Sequence, residues 1–405
     1  MGTQLKWFTH STGSAPQLSN SQGALIPILD ACLVNGFNER SVVSITKSGD
    51  IITLDFGVNH GYLNYQVIAL SEFLDSKLIG EHRILSSTTT TISFELSGVV
   101  NLSGSGKCKL APLGFEKKYE ALGKRAYRSK NTLINPFYLR VDDTLDPVWT
   151  STYAKFAKVA IVEDMTGVEL GDINGYQAPY DTSNPTQNWV GSGSGATAIN
   201  GWAKWYYAYA LGFASSYQDA TAPATGNYQW LIVGDESGFY FFPSSYTDVA
   251  GTVYAFSMFE SYLNNDNFNC FLNATFNRGA ANSTGYKGGN TGMQNTNAAS
   301  TIVLRNKTQA ANYATVGTIG IGITTNMATG SQNILTPVNQ AQFSEVYFNE
   351  GGFIRGKPNN FYWLYNQTPY TNLTPFIQDG SIYMARSVAS NNNILGQVVL
   401  KIGEL

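Results

Sequence analysis

The sequence carries little charge: Lys, Arg, Asp and Glu make up 13% of its 405 residues, about half the ~25% usual in a soluble chain. With 25 basic against 28 acidic residues and a net charge of -3, it lacks the surplus of Lys and Arg that neutralises phosphates, which argues against nucleic-acid binding. Three cysteines, Cys32, Cys108 and Cys270, lie far apart. They form no CxxC knuckle, and an odd number argues against a disulfide framework, so buried free thiols are expected. The three histidines, His10, His60 and His82, form no HxH or HxxxH pair, so neither a metal centre nor another cofactor is expected. His60 reads as a turn histidine bonded to backbone. No apolar run reaches the roughly 18 to 20 residues of a membrane helix, and the start has no basic segment leading into an apolar core, so neither membrane insertion nor secretion is expected. A GxxxxGK[ST] phosphate loop and a GxSxG nucleophile elbow are missing too, which removes the common signatures of nucleotide and serine-hydrolase chemistry.

The missing charge is replaced by Gly (40), Tyr (24) and many Asn, Ser and Thr, and 13% of the chain is aromatic. Such a chain is too aromatic and too poor in charge to be disordered. Leu25, Ile26, Ile28, Leu29, Cys32 and Leu33 recur at helical spacing before Gly36, which predicts a short helix over about 24–34. From residue 41 the period changes to two, with short β-branched or aromatic runs divided by turn residues such as Lys47-Ser-Gly-Asp and Asn59-His-Gly. The expected fold is therefore all-β. It comprises an N-terminal arm and short helix (1–40), a small antiparallel β-barrel or sandwich module (41–115), a basic connector (116–130) and a larger, sandwich-like β-rich domain with long polar loops (131–405). Gln229–Gly234 and Phe239–Phe242, about the turn Asp235–Gly238, read as a hairpin. The run Trp202, Trp205, Tyr206, Tyr209, Phe213 fits helix or strand. The polar stretches 181–201 and 277–300 are expected as exposed loops.

Paired carboxylates are the chemistry to weigh, because glycan cleavage needs only two, about 5 to 10 Å apart. Asp142 with Asp143, Glu163 with Asp164, Asp235 with Glu236, and Glu345 with Glu350 are the candidates. Asp235 and Glu236 fall at a hairpin tip, where acids also serve the turn.

Several phrases resemble a β module of tailed-bacteriophage virion proteins: His60-Gly-Tyr-Leu-Asn-Tyr-Gln-Val-Ile-Ala-Leu, Leu78-Ile-Gly-Glu-His-Arg-Ile and Thr91-Ile-Ser-Phe. Ala111-Pro-Leu-Gly-Phe-Glu-Lys and Ala126-Tyr-Arg-Ser resemble its continuation, with Ile79 where Asn is usual and Phe115 where Trp is usual. Trp230-Leu-Ile-Val-Gly-Asp, Phe239-Tyr, Ile354-Arg-Gly-Lys-Pro and Phe361-Tyr-Trp are similar to later parts of the same uncharacterised family. The resemblance implies a non-enzymatic structural subunit of the virion, in tail, baseplate or neck, assembled in the host bacterial cytoplasm. It would self-associate and dock to neighbouring virion proteins. A receptor-binding or glycan-degrading tail protein, with host surface glycan as partner, and a capsid decoration protein are the alternatives. Low charge and many aromatics suit a chain that buries surface in assembly. The expected contact residues are Trp7 and Phe8 in the arm, the basic set Lys117, Lys118, Lys124, Arg125 and Arg128, and the loops 181–201 and 277–300.

Overall fold

A computed structural model describes residues 5–99, 101–103, 105–209, 219–244, 250–280, 291–294, 301–320, 343–364, 368–389 and 395–405. The chain is all-β apart from short helical turns. The expected helix is present as Leu25–Leu29, continued by a π-helical stretch Asp30–Asn35 that stops at Gly36 with φ of 68°. Ala24, at its N-cap, has no side-chain acceptor to offer. Asp143 Oδ2 takes over that role, accepting from Leu25 N at 3.1 Å across 118 residues of sequence. The apolar stripe Leu25, Ile28, Leu29, Cys32 and Leu33 is fully buried in the main core.

The small module consists of two four-stranded antiparallel sheets. In one, Phe37–Ser41, Lys107–Leu110, Val67–Ser71 and Gly80–Arg83 lie side by side; in the other, Ser44–Ser48, Ile51–Asp55, Thr91–Glu95 and Ser86–Ser87 do. Alternation sends Ile52, Leu54, Ile68, Leu70, Ile92 and Phe94 inward to one shared core, as strand geometry requires of a half-buried sheet. Residues 116–130, expected as a connector, instead form the first hairpin of a seven-stranded sheet. Phe115–Ala121 pairs with Lys124–Ser129, followed by Tyr138–Asp142, Lys155–Val162 and Ala203–Ala208. The charged residues that suggested a linker lie half-buried or exposed along these strands, beside the buried Phe115, Ala126 and Tyr127. The aromatic run after Trp202 is a strand up to Ala208; Phe213 lies outside the described residues.

The largest sheet has thirteen strands and contains the expected hairpin, Trp230–Asp235 with Gly238–Pro243. Within it six strands close on themselves. Tyr254–Ser261 pairs with Cys270–Asn273, which leads through Thr301–Val303, Ala314–Gly320 and Ser344–Glu350 to Phe353–Pro358, which pairs back with Tyr254–Ser261. The result is a small barrel filled by Phe259, Phe271, Val303, Val316, Val346 and Phe348, and closure removes its free edges. Trp205 of the middle sheet packs at 5.9 Å on Phe239 and 6.0 Å on Tyr254 of the large sheet.

The two polar stretches are not simply exposed. Asn188, Trp189, Ala198 and Asn200 are buried within 181–201. Of 277–300, residues 281–290 and 295–300 lie outside the described residues, and Thr291, Met293 and Gln294 are buried. Their polar groups serve backbone and core: Gln294 Oε1 accepts from Val253 N at 2.6 Å, and Met293 O accepts from Trp363 Nε1 at 2.9 Å.

Candidate functional site

Trp7 and Phe8 sit in a strand, Lys6–Thr9, which pairs with Trp230–Asp235 in the register Trp7↔Val233 and Phe8↔Ile232. Their period of two sends them to opposite faces of the sheet, Phe8 into the main core and Trp7 into the core that includes the barrel. They are 0% and 1% exposed, so both pack within the chain and neither offers surface to another copy. Deleting residues 1–20 is expected to destabilise the chain by several kcal/mol, since each buried large aromatic contributes about 1.5–3. Thermal unfolding together with native mass checks this: an unchanged melting temperature with a lower mass would restore the arm as a contact between subunits.

The basic set is likewise answered from within. Arg125 reaches Asp30 through Nε and Nη2 at about 3.2 Å, and Tyr127 donates to the same carboxylate at 2.8 Å. Lys117 lies 3.7 Å from Asp30 and 3.0 Å from Glu120, Arg128 bonds Glu116 at 2.8 Å, Lys118 is 4.0 Å from Glu116, and Lys124 pairs with Glu169. The acidic neighbour that this cluster calls for belongs to the same chain.

All but one of the weighed carboxylates have a structural partner; Asp164 makes its contact through the backbone. Asp142 lies 3.8 Å from Lys158. Asp143 accepts from Leu25 N, Gln22 and Tyr207. Glu163 forms a two-pronged pair with Arg305 at 2.6 and 2.7 Å. Asp164 closes a turn through its carbonyl, which accepts from Gly175 N at 2.9 Å. Asp235 caps its own turn by accepting from Ser237 N at 2.8 Å, and Glu236 accepts from Asn131 at 3.2 Å. His60 accepts from Tyr62 N at 2.9 Å and bonds Thr91 O at 3.2 Å, the backbone role expected of it. Cys32, Cys108 and Cys270 are free and buried. Burial pushes their thiols up, Cys108 to about 12, so none is a ready thiolate.

The barrel hairpin Ser344–Glu350 with Phe353–Pro358 is where buried charge and exposed aromatic surface meet. Its inward face carries Arg355, 1% exposed, which bonds Glu350 at 2.6 Å and Asp266 at 2.7 Å. Its outward face carries Ile354, opposite Asn349, and Tyr347, whose ring lies 6.3 Å from that of Tyr262. Phe353, at the turn, is 64% exposed beneath the Lys307 ammonium at 3.7 Å, while Tyr262 and Ile354 are 47% and 41% exposed. Alternation explains the division: even positions of Ser344–Glu350 are buried and odd positions are half-exposed. Beside this face lies a polar cleft of about 420 Å³ lined by Asp235, Glu260, Glu345, Lys357 and Tyr362. Bonds from Tyr347 and then Lys357 hold the Glu345 carboxyl below its usual range. Reading the residues alone did not single out Arg355, Phe353 or Tyr262 for a role; the Gly351-Gly352 turn before Phe353 was the one local signal.

No family model matches the sequence, and no curated protein matches it. Among solved structures the chain is similar to phage phi92 endosialidase at 7% identity and a TM-score of 0.16, over 90% of this chain and 51% of that one. The chain thus spans about half the length of that protein, and a likeness of this size carries no argument about fold or role.

Proposed function

We propose that the chain is a structural subunit of a tailed-bacteriophage particle, in tail, baseplate or neck, that acts by assembly with copies of itself and with neighbouring virion proteins. The observation that carries the assembly reading is the exposed face of Tyr262, Tyr347, Phe353 and Ile354 on a closed barrel. Exposed aromatic and apolar side chains are what interface cores select, and the buried Arg355 pair ties the strands of the hairpin behind them. The phrase-level resemblance to virion proteins supplies the setting, with the virion as location. Turnover is no part of the reading: Tyr347 and Lys357 hold the Glu345 carboxylate in a bonded pair.

Light scattering over a concentration series tests the assembly reading. The native chain is expected to form a discrete oligomer. The double variant Phe353→Ser, Ile354→Ser is expected to associate about tenfold or more weakly, the effect of losing central apolar anchors, with an unchanged melting temperature. A native chain that stays monomeric throughout would sink the self-assembling reading.

A further inference from the structure

We propose that the wall between the middle sheet and the 181–201 loop holds a binding site for a neutral saccharide. Two cavities, of about 390 and 370 Å³, share Leu170 and Trp189 as a dividing wall, and each falls in the range of small-ligand pockets. In the first, Arg140 is 1% exposed and donates through Nε to Val168 O at 2.9 Å. Its guanidinium stacks 3.9 Å from the Trp189 ring centroid. Nη1 of this buried cation has no hydrogen-bond partner among the described residues. A buried donor left without an acceptor is costly, and an oxygen brought into the cavity that Arg140 lines would lower that cost.

The charges around it decide what kind of oxygen. Three cations, Lys124, Arg140 and Lys158, line the cavity with three carboxylates, Asp142, Asp146 and Glu169. Lys124 pairs with Glu169, and Lys158 lies 3.2 Å from Asp146 and 3.8 Å from Asp142. The lining is balanced, so an anionic ligand would bring a charge with no counterpart. A neutral ligand with acceptor oxygens, such as a hydroxyl or acetamido carbonyl, completes Arg140 at no such cost. Carboxylate oxygens in the lining are suited in turn to accept hydroxyl protons.

The second cavity supplies the apolar half of the recognition. Tyr176 and Tyr180 are half-buried and meet edge-on at 6.3 Å. Tyr176 is fixed, its hydroxyl accepting from Tyr313 N at 2.6 Å. Trp189 is anchored by Nε1 donating to Gln177 at 2.9 Å, and Asp146 Oδ2 holds the loop by accepting from Gly191 N at 3.0 Å. Only glycine fits at that point, because a Cβ on Gly191 would come within 2.4 Å of Val148. Pre-formed aromatic walls next to an unanswered donor and a balanced set of charges match the alternating C–H faces and hydroxyl edges of a sugar chain two or more units long.

Calorimetric titration of the full chain with an N-acetylglucosamine trimer, a glucose trimer and a galacturonate trimer tests the assignment. At least one neutral trimer is expected to bind saturably below about 10 mM. Arg140→Met, which removes a charge-assisted hydrogen bond, and Tyr180→Ala, which removes an aromatic wall, are each expected to weaken it at least about tenfold. Tyr180 is half-buried, so its variant keeps the test open if Arg140→Met fails to fold. Lack of saturation by both neutral trimers, tighter binding of galacturonate, or unchanged affinity in either folded variant would overturn the proposal. The oligomeric state is read separately, so failure here leaves the assembly reading untouched.

Discussion

Replacing Arg355 by Met is expected to lower the stability of the chain by about 3–5 kcal/mol, the cost of breaking a buried ion pair from one side. Asp266, 1% exposed, and Glu350, at 9%, would be left as neighbouring carboxylates with no cation between them. Glu350 faces Arg355 from the other strand of the same hairpin, and Asp266 from the loop after Tyr254–Ser261, across 89 residues of sequence. Arg355→Lys keeps the charge but loses the fork that reaches two carboxylates at once, so it is expected to cost less. Denaturant unfolding at neutral pH ranks the variants. A deficit in Arg355→Met below about 1 kcal/mol, the level of an exposed pair, would show that the triad does not hold the hairpin.

Asp143→Ala is expected to have the second-largest effect, about 2–4 kcal/mol, because it strips acceptors from buried donors. Asp143 takes Leu25 N at 3.1 Å, Gln22 Nε2 at 2.9 Å and Tyr207 Oη at 2.6 Å, and so ties the start of the helix to the middle sheet. Burial pushes its carboxyl up to about 7, against the pull of those donors toward the ionised form. In the unfolded chain the same group titrates near about 3.9. Between these values the folded chain holds a proton that the unfolded chain has released, so this contribution is complete below the lower value and is lost as the pH rises through the upper one. The native chain should therefore lose stability from pH 4 to pH 7 at this group, and Asp143→Asn should lose that component of the slope. Melting temperatures of the two proteins across that range check it; parallel curves would count against the assignment.

Features set by neighbours in sequence were legible before any coordinates. The stripe from Leu25 to Leu33 becomes the buried face of a helix, the runs about Asp235–Gly238 become a hairpin, and His60 bonds backbone in a turn. The same reading misplaced what depends on distant partners. Trp7 and Phe8 stand in a polar stretch with no local apolar company, and the strand that buries them lies more than two hundred residues away. Lys117 to Arg128 reads as a solvated basic face that meets an acidic neighbour in another protein, because Asp30, which receives Arg125 and Tyr127, is about ninety-five residues earlier. The alternation that makes 116–130 a hairpin was masked by its charge.

What the sequence alone determined is the all-β class, the position of the helix before Gly36 and the poverty of charge, because periodicity and composition act residue by residue. What the tertiary structure decided is which groups remain unanswered. Trp7, Phe8, the basic set and most of the paired acids find partners inside the chain, while Phe353, Tyr262 and Ile354 stay exposed and Arg140 Nη1 finds no partner among the described residues. Satisfaction is a property of contacts between segments far apart in the chain, and only folding brings those segments together.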